Sequence, residues 1–278
     1  MNKCSENIFF NILGYQPLKY LLAHLFYNFK KIFIYKPVDN LNAYKNGFFI
    51  KKNFLNFDDF KKLKIEFKKI LDDKNVTKTF FYNSISIQEC IINKNFNYIS
   101  KKYPQVFNLA KNSQIKKFFK NHQLSKEFIT NIILMRIKNF KNNRYDVQKF
   151  YHTDTFFNTF KAWITINDWN DNNGPFMYLK NSHLFNFKRI ILEYINSIDY
   201  SFRAKNLSKK KRNIISSWRL NKNRKNDKVY DKEAIKMNLK ENSFIFANTH
   251  GFHRRGNAKE NTAREAILIS VRENPFSI

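Results

Sequence analysis

The stretch YHTDTFFNTFKAW, residues 151–163, sets a histidine and an aspartate two positions apart at the head of a run rich in aromatic and β-branched residues. Side chains at i and i+2 of an extended strand point to the same face, so His152 and Asp154 can present an imidazole and a carboxylate to one ion. With six His and twelve Asp in 278 residues, such a pair also arises readily by chance. Two groups leave a metal under-coordinated, and the reading turns on whether the rest of the chain supplies a third.

The C-terminal stretch NTHGFHRRGNAKENTAREAILISVR, residues 248–272, holds the candidates. His250 and His253 lie on either side of Gly251 at the end of one strand-like run, and Arg264 opens the next. Three residues apart, the two histidines cannot share one strand face. A facial triad of two histidines and one carboxylate holds non-haem iron(II) and leaves three positions open. An arginine offers a planar fork suited to gripping a carboxylate at two points.

Between and around these stretches the texture is mixed. GFFIKKNF (47–54) reads as a short strand, and FDDFKKLKIEFKKILDD (57–73) as a helix with Phe60, Leu63, Phe67, Ile70 and Leu71 on one face. Residues 87–129 are mixed and partly helical. From residue 130 short strand-like runs follow: FITNIILMRI, KFYHTDTFF, FKAWITIND, PFMYLK, SFIFANTH and AREAILISVR. Turn signals such as DNNGP (171–175) and NTHGF (248–252) separate several of them. Helices first and then an antiparallel sandwich or jelly roll is the expected order. The basic stretch 185–240 interrupts the strands and is expected to form helices and a loop on the barrel's rim. No internal repeat or linker is visible, so residues 1–46 read as an N-terminal helical extension to one domain over 47–278.

Composition narrows the classes further. A hydrophobic content of 43%, with 31 Phe and 14 Tyr, is ample for a substantial core. Cys4 and Cys90 have no CxxC spacing, which excludes a disulfide framework and a cysteine-held zinc and points to a reducing, cytoplasmic setting. The net charge of +29 invites a nucleic-acid reading. Its make-up argues against one: 40 of the 51 basic residues are Lys, in a chain equally loaded with Asn, Ile and Phe, which is a chain-wide bias. Residues 205–240 stand out, with 13 Lys or Arg against three acids. A metal-free jelly roll binding nucleic acid or an anionic surface through that segment is the competing reading. No run is apolar enough to cross a membrane, but residues 9–35 read as a basic amphipathic helix lying on a membrane surface, on a partner, or on the domain's own core.

The order HTD, KAWITIND, NNGPFMYLKNSH, GFHRRG and then Arg264, eleven positions after His253, resembles the phytanoyl-CoA dioxygenase family of Fe(II)- and 2-oxoglutarate-dependent oxygenases. The match is loose over 47–272 and good over 150–272. The resemblance implies an α+β fold built on a double-stranded β-helix, the jelly-roll or cupin-like core, with N-terminal and flanking helices. It implies His152, Asp154 and His253 as iron ligands, Arg264 as the partner of the 2-oxoglutarate distal carboxylate, and Trp163 as a wall of the co-substrate pocket. Hydroxylation of a small molecule, anionic or lipid-like, with consumption of O2 and release of succinate and CO2, is the implied reaction. His183 of KNSH falls in the family's turn before a helix. Two departures stand out: Arg255 replaces a small hydroxyl residue, either adding a cation at the co-substrate or pointing outward, and Asn181 replaces a glycine, a change that left-handed backbone geometry tolerates.

Overall fold

The computed structural model describes residues 4–34, 45–82, 85–123, 131–140, 146–208, 212, 218–220, 227–271 and 276. The apolar side chains of residues 57–71 recur at three- and four-residue spacing, and the chain there is helical, Phe57–Asp72 (called α3 below, after α1, Ile8–Ile12, and α2, Tyr15–Ile34). Phe60, Leu63, Phe67, Ile70 and Leu71 are all buried, the face that the spacing predicts. Asn56 caps the helix by accepting a hydrogen bond from the Asp59 amide. Replacing Asn56 with alanine should lower stability by about 1 kcal/mol, read as a reduced urea midpoint at unchanged slope.

Alternation of side chains decides the rest. Among the described residues ten strands form two antiparallel sheets: β1 (Phe48–Lys51), β2 (Lys78–Tyr82), β3 (Ile85–Ile91), β4 (Asn131–Asn139), β5 (Phe160–Thr165), β8 (Phe244–Asn248) and β10 (Thr262–Ser270) build one, in the order β1-β8-β5-β10-β4-β3-β2. The smaller sheet is β7-β6-β9, with β6 at Phe176–Leu179, β7 at Ala234–Met237 and β9 at His253–Arg255. Phe160, Ala162, Ile164, Phe244, Phe246, Ile267 and Ile269 point outward from the large sheet into the core shared with α3. Their neighbours Trp163, Ile245, Ala247 and Ala266 point the other way and meet Phe176, Tyr178 and Met237 of the small sheet. The two sheets thus face each other across an apolar interior, and the mixed helix-and-sheet architecture with antiparallel sheets matches the expectation from the sequence.

Local departures have physical reasons. KFYHTDTFF is not a strand: Val147–Lys149 form a 3-10 turn, and His152 alone makes a bridge. Each amide there bonds a different segment, His152 to His253, Thr153 to Trp218 and Asp154 to Thr249, so no ladder builds up. Residues 85–91 form a strand ahead of α4 (Phe96–Lys102), α5 (Pro104–Lys111) and α6 (Ser113–Gln123). The basic stretch contains α7 (Phe187–Ala204) and α8 (Asp227–Glu233), and also β7, which the sequence reading did not separate from it. Lys209, Lys210 and Lys211 and residues 221–226, the most basic part of that stretch, lie outside the described residues. Asn181 has a positive φ of 63°, as expected of the residue standing in place of glycine in the KNSH turn.

Two buried histidines make the fold acid-sensitive. Burial pushes His24 down to about 4, helped by the positive charge of Arg189 and by His183, and pushes His122, wedged against Phe160 and Phe246, also to about 4. Unfolded histidine titrates near 6.5, so below that value the unfolded chain binds more protons. The stability is intact above pH 6.5 and is lost as pH falls toward 4, by up to about 1.4 kcal/mol per pH unit for each histidine. The melting temperature should drop over this window, and His122→Leu should make the drop shallower.

Candidate metal centre

His152 and His253 come from segments a hundred residues apart and are brought face to face by a reciprocal backbone bridge. The His152 amide donates to the His253 carbonyl at 2.9 Å, and the His253 amide returns the bond at 3.0 Å. Their ring centroids are 4.5 Å apart. Asp154 reaches the same point because its amide is tied to the Thr249 carbonyl at 2.9 Å. One ligand atom from each of His152, Asp154 and His253 lies within 4.8 Å of the others.

The hydrogen bonds around the rings fix what they can do. His152 Nδ1 lies 2.8 Å from the Phe150 carbonyl and His253 Nδ1 2.9 Å from the Gly251 carbonyl. A carbonyl only accepts, so each Nδ1 carries the proton and each Nε2 presents its lone pair, the tautomer a metal needs. Burial, reinforced by His253, pushes His152 down to about 3, which keeps it neutral. Burial alone would raise Asp154, but the positive charge of the adjacent Lys161 outweighs it and holds the carboxyl well below its ordinary range. Lys161 Nζ stands 2.7 Å from Asp154 Oδ2. Two imidazoles and a carboxylate form a donor set suited to a divalent cation such as iron.

The remaining residues singled out in the sequence surround this point. Trp163 is buried with its ring 4.9 Å from that of Phe176, which in turn lies 5.5 Å from the His253 ring. Arg264 is buried in the same interior, its guanidinium 3.6 Å over the Trp169 ring and donating to the Gly174 carbonyl at 2.8 Å. It has no carboxylate partner among the described residues. Arg255 is buried and ion-paired with Asp146, so it does not point outward. Burial and the nearby Arg255 charge both press against the ionised form of Arg264. An uncompensated buried cation is costly, and a carboxylate-bearing ligand would compensate it.

His250 is placed elsewhere. Its Nε2 is 3.2 Å from His24 Nε2 of α2, and its Nδ1 is 3.1 Å from the Thr155 carbonyl. The turn between the two histidines passes so close to Tyr178 that a Cβ on Gly251 would sit 2.0 Å from the phenol oxygen. His183 lies in the 180–184 turn, where Ser182 Oγ accepts from the Phe252 amide.

Two groups of residues were not legible as parts of the site. Lys161 shares the inward face of β5 with Trp163, and only its i, i+2 relation to that tryptophan signals it. Beneath the HTD segment, Arg189 of α7 donates to Thr153 Oγ1 at 3.3 Å and pairs with Glu193, which accepts from Trp218 Nε1 and from Gln16 Nε2. This network ties α2, α7 and the start of the candidate site together.

No family model matches the chain, and no curated protein matches it. Solved structures do. The epimerase SnoN of nogalamycin biosynthesis, solved with Fe3+, α-ketoglutarate and nogalamycin RO, is 11% identical, with a TM-score of 0.55 over 83% of this chain and 80% of its own. EctD from S. alaskensis, solved with 2-oxoglutarate and 5-hydroxyectoine, is 12% identical, with a TM-score of 0.54 over 88% of this chain and 83% of its own. HygX from Streptomyces hygroscopicus, solved with nickel and 2-oxoglutarate, is 11% identical, with a TM-score of 0.50 over 82% and 84%. The chain shares its fold with 2-oxoglutarate-dependent enzymes. At these identities the likeness is one of fold, and the narrower resemblance to phytanoyl-CoA dioxygenases rests on the sequence motifs.

Proposed function

We propose that this protein is an Fe(II)- and 2-oxoglutarate-dependent oxygenase acting on a small molecule. The observation that carries the reading is the buried cluster of His152, Asp154 and His253, with both Nδ1 protons committed to backbone carbonyls. SnoN and HygX, which share the fold, were solved with a metal and 2-oxoglutarate or its synonym α-ketoglutarate. In this proposal the two sheets form a double-stranded β-helix within a domain of residues 47–278, and the sequence belongs near the phytanoyl-type oxygenases.

His152, Asp154 and His253 would hold the iron. When bound, iron with 2-oxoglutarate and O2 supplies the oxidising power for hydroxylation, with succinate and CO2 as co-products. The chain's own part is positional and electrostatic. Lys161 keeps Asp154 ionised, and the backbone carbonyls of Phe150 and Gly251 hold both rings in the metal-binding tautomer. Arg264 grips the distal carboxylate of 2-oxoglutarate in a pocket where burial strengthens the ion pair. Trp163 and Phe176 wall the interior and exclude water from it. Because the third ligand is a carboxylate and not a small residue that would open a halide position, hydroxylation is favoured over halogenation; desaturation and ring formation use the same triad, and an epimerase shares the fold.

The test is succinate release by anaerobically iron-loaded protein on exposure to O2 and 2-oxoglutarate, screened against lipids, acyl thioesters, amino acids and sugar derivatives. Iron-dependent, substrate-stimulated succinate supports the reading. Absence of both metal binding and 2-oxoglutarate decay would overturn it. A membrane surface is the second partner in this proposal, contacted by residues 9–35, in which Phe9, Leu18, Leu25, Phe29 and Ile32 are exposed.

A further inference from the structure

The polarity of three helices is inverted. In α2 the side chains turned toward the protein are Gln16, Lys19, Tyr20, Ala23 and His24, whereas Leu18, Leu22, Leu25, Phe26, Phe29, Ile32 and Phe33 are exposed at helical spacing. In α7 the buried face is Arg189, Glu193, Ser197, Tyr200, Ser201 and Ala204, and the exposed one carries Phe187, Ile191, Ile195 and Phe202. The two inner faces meet through hydrogen bonds: Gln16 Nε2 donates to Glu193 at 3.0 Å, and Asn11 Nδ2 of α1 donates to Ser201 Oγ at 2.7 Å and to the Ser197 carbonyl at 3.1 Å. An ordinary surface helix buries its apolar stripe; these bury the polar one.

These adjoining helices together carry an apolar plate of exposed side chains. Of the 29 large apolar side chains exposed among the described residues, 19 lie between residues 9 and 33 or between 184 and 202, so the exposure is concentrated rather than scattered. Concentrated exposure of this kind marks a docking surface. Phe29 is 60% exposed, Ile32 78% and Phe187 78%, depths that no loose surface packing explains. No helix among the described residues is long and apolar enough to cross a membrane, but α2, at 20 residues, spans ~30 Å and can lie flat.

The charge around the plate selects its occupant. Lys30 and Lys31 close α2, Lys188 opens α7, and Lys205 follows its last residue, where Arg203 is paired with Asp199. Beside the plate a groove of about 720 Å³ is lined by Lys31, Lys45 and Lys180 together with Leu184 and Phe185. The whole chain carries +29. A second copy would bring the same positive rim against this one, whereas anionic phospholipid headgroups complement it. We infer that α1, α2 and α7 form a monotopic membrane-docking face, with the apolar plate set among the acyl chains and the lysine rim on anionic headgroups of a bilayer. The inference extends the contact proposed for residues 9–35 to α7 and stands independently of the oxygenase reading. Its inner side also meets the candidate site, because Arg189 of α7 bonds Thr153 between His152 and Asp154.

The experiment is sedimentation of the metal-free full chain with vesicles of phosphatidylcholine, alone or with phosphatidylglycerol added, so that loss of binding and loss of turnover are read separately. The wild type should partition onto phosphatidylglycerol-containing vesicles and only weakly onto neutral ones. The triple variant Leu25→Glu/Phe29→Glu/Ile191→Glu, altered only at exposed positions, should partition at least about 30-fold less while keeping its circular dichroism spectrum. Lys30→Ala/Lys31→Ala leaves the apolar plate intact and should weaken binding severalfold at low salt. No partition of the wild type, or partition unchanged in the triple variant, overturns the inference. So does a stable dimer in analytical ultracentrifugation that the triple variant dissolves in the absence of vesicle binding, since a second copy then covers the face.

Discussion

Alanine at His152, Asp154 or His253 should each abolish stoichiometric Fe(II) binding, measured by metal analysis after anaerobic loading and desalting, and with it all 2-oxoglutarate turnover. The wild type should retain about one ion per chain. Loss of groups that merely orient a ligand typically weakens metal affinity by about 10- to 100-fold, and loss of one of only three ligands should exceed that. His250→Ala is the control. His250 Nε2 faces His24 and not the cluster, so this variant should keep its metal, with some loss of stability from the buried gap. If His250→Ala loses iron and His253→Ala does not, the ligand assignment is wrong, whatever the reaction turns out to be.

Arg264→Ala should weaken 2-oxoglutarate binding by about 30-fold to several thousand-fold, the equivalent of roughly 2 to 5 kcal/mol for truncating one partner of a buried charge pair. Iron binding should be unchanged, because the guanidinium contacts Gly174 and Trp169 and not the His–Asp–His cluster. The two quantities can be separated by titrating 2-oxoglutarate into iron-loaded protein and following the metal-to-ligand absorption. Arg264→Lys keeps the charge without the planar fork and should recover only part of the affinity. Unaltered co-substrate affinity in Arg264→Ala would sink the assignment, and Arg255 would not replace it, since Asp146 already occupies that guanidinium.

Much of the scaffold could be read in advance because local periodicity and burial are coupled. The five apolar positions that the spacing places on one face of α3 are the five it buries, with Phe57 and Ile65 left exposed, and the alternation in FKAWIT separates Phe160, Ala162 and Ile164 on one side of the sheet from Trp163 on the other. The left-handed turn at Asn181 follows equally from residue type. The HTD segment was legible as a pair of ligand types but not as a conformation: extended geometry there is imposed by three separate backbone partners rather than by a strand of its own. Strands β7 and β9 are too short to leave a periodic signal, and the basic bias around residue 234 masked the first of them.

What the sequence determined by itself is the inventory: one helix face, the alternating strands, a His-x-Asp pair, two candidate distal histidines and an arginine eleven positions after the second. Which groups meet was decided by tertiary structure. The choice between His250 and His253 rests on a single reciprocal bridge between residues 152 and 253 and on a turn at Gly251 that Tyr178 closes to any larger side chain. Lys161 becomes the counter-ion of Asp154 only because β5 passes beside the HTD segment. The apolar stripe within residues 9–35 was visible as a pattern and that of α7 was not separated from the basic stretch around it, and no pattern states which stripe faces in. That depends on the buried Arg189–Glu193 pair and its partners Gln16, Thr153 and Trp218. A buried charge must be satisfied by groups that reach it, and those groups are gathered here from segments far apart in the chain, a distance that periodicity does not encode.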